Sequence, residues 1–388
     1  MAVEGIGVQD YTKEPAAGPA AGIIRRITET GPITFAEYMS IALYGPGGYY
    51  ASGRLGPWGG HGDYITSLDV SPVFSAMLAR QVFEMWEVLG SPAAFRLIEA
   101  GAGRGWLGKS ILDKVRAVYP VFSKALRVTL VEKNRNLHEE ASEALCWRED
   151  ITGLEPSEFG CVLSNELIDS FPVHRVVRSG GLLKEVFVGL DASGALSDTP
   201  GPPSTPELVK YLESGGITLA EGQKAEINLE AGRWLVSASS LLAKGFFITI
   251  DYGLPARELY SQDRMEGTLL CHYRHTLNDN PYINIGTQDM TTHVDFSYLA
   301  SLGRTLGLGL TGFATQKNFL LGLGICDELA EVDESGAGEA EKIKNNRELA
   351  RLIAPGGMGD TFKVLVQHKG VEKPALKGFS FRDQSSFL

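Results

Sequence analysis

Short runs that are apolar nearly throughout alternate along this chain with longer segments whose apolar positions recur every three or four residues. The first pattern reads as strands buried on both faces, the second as amphipathic helix. Strands are predicted at Arg96–Ala100, Leu126–Val131, Phe159–Ser164, Phe246–Ile250, Gly309–Phe313 and Thr361–His368. Helices are predicted at Trp106–Ala117, at Asn134–Ala144 and around Lys317–Arg351. Upstream, a helical pattern begins at Gly22, and Thr34 with Glu37 has the spacing of a capping box for a helix running to about Leu43. Ser71-Pro72 opens another helix, with Phe74, Met77, Leu78, Val82, Phe83 and Trp86 on its apolar positions. Strands alternating with helices predict an α/β fold, a doubly wound and mostly parallel sheet.

Two stretches break the alternation. Arg175–Leu190 reads as a hairpin turning at Ser179-Gly180-Gly181, and 254–307 shows few clear periods. The chain therefore divides into a flexible tail (1–21), an N-terminal helical region (22–90), the first half of the core (91–177) and an insertion (178–235). A core strand (236–253), a second insertion (254–307), the end of the core (308–370) and a tail (371–388) follow. The acidic, Gly/Ala-rich run Glu328–Glu341 reads as solvated. Exposed apolar insertions are compatible with a homodimer.

Composition removes some function classes. A net charge of −11 disfavours sequence-independent nucleic-acid binding, which needs a basic face. No run of eighteen apolar residues is present, so membrane insertion is not expected. The N-terminus has the features of neither a secretory signal nor an Arg-rich transit peptide, which predicts a cytoplasmic protein. Cys146, Cys161, Cys271 and Cys326 are far apart and read as free thiols. His61, His272, His275 and His293 have no metal-ligand spacing, and no metal site is predicted.

The candidate chemistry centres on Leu97-Ile-Glu99-Ala-Gly101-Ala-Gly103-Arg-Gly105, where a strand ends, glycines turn the chain and a helix begins. Glycines permit positive φ and close approach of a ligand, and a helix N-terminus offers unpaired N–H groups to an anion. Dinucleotide sites favour G-x-G-x-x-G, but the sixth position here is the large Trp106. The shorter G-x-G-x-G turn suits S-adenosylmethionine, which carries a carboxylate and no pyrophosphate. We assign Gly101, Gly103 and Glu99 to cofactor binding on this basis. Glu132 ends the second strand where such folds bind ribose hydroxyls, although an acid there also reads as a surface residue ahead of a helix. Asp150 is a candidate for the adenine amine.

Asn165-Glu166-Leu-Ile-Asp169 follows the next strand directly, and Asp251-Tyr-Gly253 closes the one after it. Ligands in open α/β sheets bind at these strand ends, although Asn and Asp there also serve as helix caps. Carboxylates so placed suit a cationic acceptor such as arginine: they can orient a guanidinium and help take its proton. Glu166, Asp169 and Asp251 are the candidate catalytic residues, with Asn165 beside the cofactor.

The chain resembles the MidA-like methyltransferases, whose mitochondrial members act in respiratory complex I assembly. The resemblance is carried by Gly31-Pro-Ile-Thr34, Tyr44-Gly-Pro-Gly-Gly-Tyr-Tyr50, Gly62-Asp-Tyr-Ile-Thr-Ser67, Glu99–Leu107, Asn165–Val173, Asp251-Tyr-Gly253 and Asp289–Phe296, and it runs from about residue 22 to 368. It implies a class I methyltransferase-like sheet with an antiparallel last strand, an N-terminal helical part and two insertions. It also implies S-adenosyl-L-methionine as cofactor and, for mitochondrial relatives, an arginine of an iron–sulfur-protein subunit of complex I as acceptor. By motif position it carries cofactor and catalytic roles to Gly101, Gly103, Glu132, Asn165, Glu166 and Asp169, and it places Asp63, Thr66 and Ser67 near the cofactor. Ala102 stands where relatives often have Pro, which alters the stiffness of the turn. Two other readings compete: a non-catalytic cofactor-binding assembly factor, and a nicotinamide-dependent oxidoreductase, against which Trp106 argues.

Overall fold

The apolar runs pair into one large sheet. The computed structural model describes residues 18–52, 72–274, 276–328, 338, 346–347 and 349–388. Its main strands are β1 (Phe95–Ala100), β2 (Leu126–Val131), β3 (Leu145–Arg148), β4 (Ser157–Asn165), β5 (Leu242–Leu254), β6 (Gly309–Thr315) and β7 (Phe362–Lys369). They lie side by side in the order β6-β7-β5-β4-β1-β2-β3. β7 runs antiparallel to both β5 and β6, while the pairs from β5 to β3 are parallel. This is the doubly wound α/β arrangement of class I methyltransferases, with its antiparallel last strand.

Alternate residues of each strand enter different cores, because successive side chains point to opposite faces. Leu97, Cys161, Leu163, Phe246, Ile248 and Val364 pack on one face with helices Pro72–Val88, Trp106–Val118 and Gln316–Gly322. Ile98, Val162, Phe247 and Leu365 pack on the other with helices Leu229–Ser240 and Phe296–Thr305. Covering both faces explains why these strands read as continuous apolar runs rather than as alternating ones.

The chain crosses from β1 to β2 and β3 on one side, then returns to lay β4 on the other side of β1, where Ala100 pairs with Ser164. The crevice at this reversal, outside the carboxyl ends of β1 and β4, is where such sheets take ligands.

A second sheet joins parts of the chain that are distant in sequence. Ile33–Thr34 pairs antiparallel with Leu182–Leu190, which pairs with His174–Ser179, and that strand pairs with Lys224–Ile227. The predicted hairpin is present, and the N-terminal helices Pro19–Thr30 and Phe35–Tyr44 pack beside it. Thr34 caps the second of these by accepting the Glu37 N–H at 3.1 Å.

Three expectations change. The predicted helix Asn134–Ala144 is a single 3₁₀ turn, Arg135–Leu137. Its apolar face is only Leu137, Ala141 and Ala144, too little to bury, and the Asn134 side chain takes the Asn136 N–H instead. β5 runs past Ile250 to Leu254, so Asp251 lies inside the strand, opposite Lys363, rather than closing it. The stretch 254–307 holds a three-stranded sheet (Leu270–Tyr273, Thr276–Asn278, Asp289–Thr291) and the helix Phe296–Thr305, capped by Asp295. Among the described residues no helix is long and apolar enough to cross a membrane, and no cluster of His, Cys, Asp and Glu could hold a metal ion.

Candidate active site

The turn after β1 is shaped by its lack of side chains. Gly101, Gly103 and Gly105 all have positive φ, at 70°, 53° and 71°. A Cβ on Gly105 would lie 2.5 Å from Leu130 Cδ1 and 2.7 Å from Trp147 Cη2, so the helix Trp106–Val118 starts hard against the sheet. A Cβ on Gly108 would meet Leu130 in the same way. Close packing therefore falls on these two glycines. Trp106 points outward, 41% exposed, with the Arg104 guanidinium 5.3 Å from its ring centroid.

Two carboxylates brace this turn. Glu99 is 4% exposed and accepts the Gly108 N–H at 2.8 Å, and burial pushes its pKa up to about 8. It lies beneath the turn, tying strand to helix. Glu132 accepts the Gly103 N–H through Oε2 at 3.0 Å and the Asn134 N–H through Oε1 at 2.9 Å, and burial raises its pKa too. Each Glu132 oxygen retains capacity for a further donor. Asp150 lies past the end of β3, exposed, its Oδ1 accepting the Thr152 N–H and hydroxyl at 2.8 Å each.

The turn after β4 carries acids and touches the glycine turn: a Cβ on Gly101 would be 2.7 Å from Leu167 Cδ1. Glu166 adopts φ +52°, a region disfavoured for a side-chain-bearing residue, and its N–H donates to Ile250 O at 2.9 Å. Asn165 Nδ2 donates to Glu166 Oε1 at 3.2 Å. Asn165 Oδ1 and Ser164 Oγ are buried with no hydrogen-bond partner among the described residues. Asp169 is buried, and desolvation, then the Asp251 and Glu166 charges, hold its pKa well above the usual range. Asp251 is 0% exposed and accepts backbone N–H groups on both oxygens, with its pKa raised to about 7 by burial. The structure thus brings Glu166, Asp169 and Asp251 together and places Asp251 underneath.

Residues given no role above also meet here. Tyr44 donates its hydroxyl to Ser170 O at 2.9 Å and stacks on Tyr50. Tyr50 donates its hydroxyl to Asp289 Oδ2 at 3.0 Å, and its carbonyl accepts Asn134 Nδ2 at 2.9 Å. Burial drives both tyrosine pKa values up, with the nearby Asp289 and Asp169 charges adding to it. The Tyr44–Tyr50 and Asp289–Phe296 motifs were visible signals, but nothing in the sequence joins two segments so far apart. Thr66 and Ser67, with Asp63, His61 and the Ser71 cap, lie outside the described residues.

Known proteins share this architecture. A family model described as "Putative S-adenosyl-L-methionine-dependent methyltransferase" matches residues 77–314. The chain is 28% identical over 376 residues to the mitochondrial protein arginine methyltransferase NDUFAF7 of Danio rerio, covering 87% of this chain and 84% of that one. It is 28% identical over 402 residues to the mitochondrial protein of the same name in Homo sapiens, covering 92% and 86%. A crystal structure of a superfamily member from Burkholderia thailandensis, bound to S-adenosyl-homocysteine, superposes with a TM-score of 0.85 at 31% identity, covering 97% of this chain and all of that one.

Proposed function

Because this chain belongs to the S-adenosyl-L-methionine-dependent methyltransferase family, we propose that it methylates an arginine side chain of a protein acceptor. Its relatives are named protein arginine methyltransferases. The observation that carries the reading is the contact between the two turns, in which Leu167 of the acid-bearing turn abuts Gly101 of the glycine turn.

The residues present fit the cofactor. Ser164 Oγ and Asn165 Oδ1 are buried polar atoms without partners among the described residues, at the head of the crevice, and the glycine turn keeps side chains out of it. When bound, S-adenosylmethionine supplies an electrophilic methyl group on a sulfonium. Glu132 would hold ribose hydroxyls, Asp150 the adenine amine, and the backbone at Gly101 and Gly103 the methionine end, beside Asn165. The cofactor and a guanidinium are both cationic, so a cluster of acids at the junction attracts both.

Glu166 and Asp169 then have a common task. A guanidinium is a poor nucleophile and is fixed best by two-point carboxylate hydrogen bonds. One acid orients it and the other receives the proton that the acceptor nitrogen loses. A carboxylate whose pKa is lifted toward neutrality is a stronger base than an ordinary one. Burial, then the Asp251 and Glu166 charges, lifts the Asp169 pKa well above the ordinary carboxylate range. We extend the reading to an arginine of a respiratory-complex subunit, the acceptor implied by the family resemblance.

The test is incubation of the purified chain with methyl-tritiated S-adenosylmethionine and proteins from cells lacking the enzyme, followed by acid hydrolysis. The expected result is label in methylarginine on a discrete protein. Label in lysine or in small molecules overturns the reading. A partner that copurifies and never gains label favours a scaffold role instead.

A further inference from the structure

We infer that Asp251 is the positioning residue of the acid-bearing turn, its carboxylate gathering three consecutive backbone N–H groups and so fixing where Glu166 and Asp169 present theirs. The Oδ2 atom accepts from the N–H groups of Leu167, Ile168 and Asp169 at 3.2, 2.9 and 3.4 Å. Consecutive N–H groups converging on one point form an anion-binding concavity, here filled by the protein's own side chain. Oδ1 accepts the Tyr252 N–H at 2.9 Å.

The surrounding bonds point the same way. The Glu166 N–H is held by Ile250 O, one residue before Asp251. Ile168 O accepts Asn228 Nδ2 at 3.0 Å, and Asp169 O accepts the Thr292 N–H at 2.9 Å. The positive φ of Glu166 is thus imposed from outside the turn. Strained backbone persists where its surroundings over-determine it. Asp251 has no exposed surface and both its oxygens are engaged, so it acts through its neighbours rather than on an acceptor.

Charge gives this role a signature that loss of packing would not. Asp251 and Glu166 both push the Asp169 pKa upward, after burial. Among the described residues, the other titratable groups around this cluster are Tyr252, Tyr44 and Tyr50, all held protonated by burial, the acids Asp289 and Glu132 beside those tyrosines, and Lys363, which lies opposite Asp251 in β7 and donates to Asp360 O and Thr361 O. Removing the Asp251 charge makes Asp169 easier to ionise. The acid limb of the pH–rate profile then moves to lower pH.

The experiment compares wild type with Asp251→Asn in three measurements. Amide hydrogen exchange at residues 167–169 is expected to speed up selectively in the variant. Calorimetry is expected to give S-adenosylhomocysteine affinity within about threefold of wild type, while kcat on a single-arginine peptide pool falls about 30-fold. The acid limb of kcat/KM is expected to shift to lower pH. Unchanged exchange at 167–169, an unmoved limb, or a limb that disappears because Asp251 is itself the titrating base would each overturn the inference.

If Asp251→Asn fails to fold, Asp251→Glu replaces it, keeping the charge but displacing the anchor by a methylene. Its kcat is then expected to fall about tenfold with the limb unmoved, and a kcat within about threefold of wild type overturns the inference. The kinetic arm rests on the proposed arginine reading, whereas the exchange arm does not. A wild type that binds S-adenosylhomocysteine but labels no peptide counts against the acceptor, and the exchange result still decides the anchor.

Discussion

The turns after β1 and β4 are neighbours, yet they hold their shapes by opposite means. The first is built from residues with no side chain, so the backbone can take φ near +70° and the helix can start against Leu130 and Trp147. Its braces, Glu99 and Glu132, come from the strand before it and the end of the next strand in sequence. The second carries full side chains, forces Glu166 to φ +52°, and is pinned by Asp251, Asn228 and Thr292 from elsewhere in the sequence. One turn makes room; the other concentrates charge in a buried place, where like charges raise each other's pKa. A methyl-transfer site needs both properties side by side: space for a large cofactor and a directed base.

This division of labour can be broken from either side. The largest effect is expected at the acid-bearing turn. Glu166→Gln should lower kcat about 1000-fold, the range of a lost acid–base or orienting group, and leave S-adenosylhomocysteine affinity within about threefold, measured by calorimetry. A parallel loss of affinity would show that the two turns are not separable. At the glycine turn the pattern should invert. Gly101→Ala places a Cβ at 2.7 Å from Leu167 on a residue held at φ +70°. Cofactor affinity should fall about 100-fold, with kcat at saturating cofactor retained to within about tenfold.

An effect on stability rather than on activity sharpens the comparison by asking what the brace costs. Burial lifts Glu99 to about 8 from its ordinary 4.5. A carboxyl whose folded pKa lies above its unfolded value contributes fully below the unfolded pKa, and that contribution is lost as pH rises through the folded one. Stability should therefore decline between about pH 5 and pH 8. Glu99→Gln, which still accepts from Gly108 and cannot ionise, should flatten that decline and be more stable by up to about 5 kcal/mol at pH 9, read from urea unfolding at several pH values. Equal stability of the two proteins at pH 5 and at pH 9 would contradict it.

The same contrast decides what could be read from the sequence. The glycine turn is local: strand, glycines and helix follow one another, so Leu97–Gly105 shows a nucleotide-type turn and Trp106 after it chooses between cofactor classes. The sheet was legible too, because strands covered on both faces must be apolar throughout. Trp106 pointed to the right class for a reason that the packing relocates, since Gly105 and Gly108, not the sixth position, bring helix and sheet together. Asn165, Glu166 and Asp169 could be placed at a strand end, but not the grip of Asp251 on the turn, which depends on the register of β5 beside β4. Tyr44, Tyr50 and Asp289 stayed out of view because they are joined only by tertiary packing. The helix predicted at Asn134–Ala144 failed because propensity without a buried face does not sustain one.

The position of β7 has a consequence in the order of synthesis. It lies between β5 and β6, in the interior of the sheet, yet residues 362–369 leave the ribosome after every other strand of that sheet. Until they arrive, β6 has no partner to pair with and β5 presents an open edge of unpaired N–H and C=O groups flanked by apolar side chains. The strands that carry the glycine turn and the acid-bearing turn, by contrast, are complete by residue 254. The nascent chain thus passes through a stage in which the cofactor crevice can form while the sheet beside it is unfinished, and an unpaired apolar edge is the kind that invites association with other chains. A chain cut before Phe362 would be arrested at that stage, with its crevice in place and its centre open.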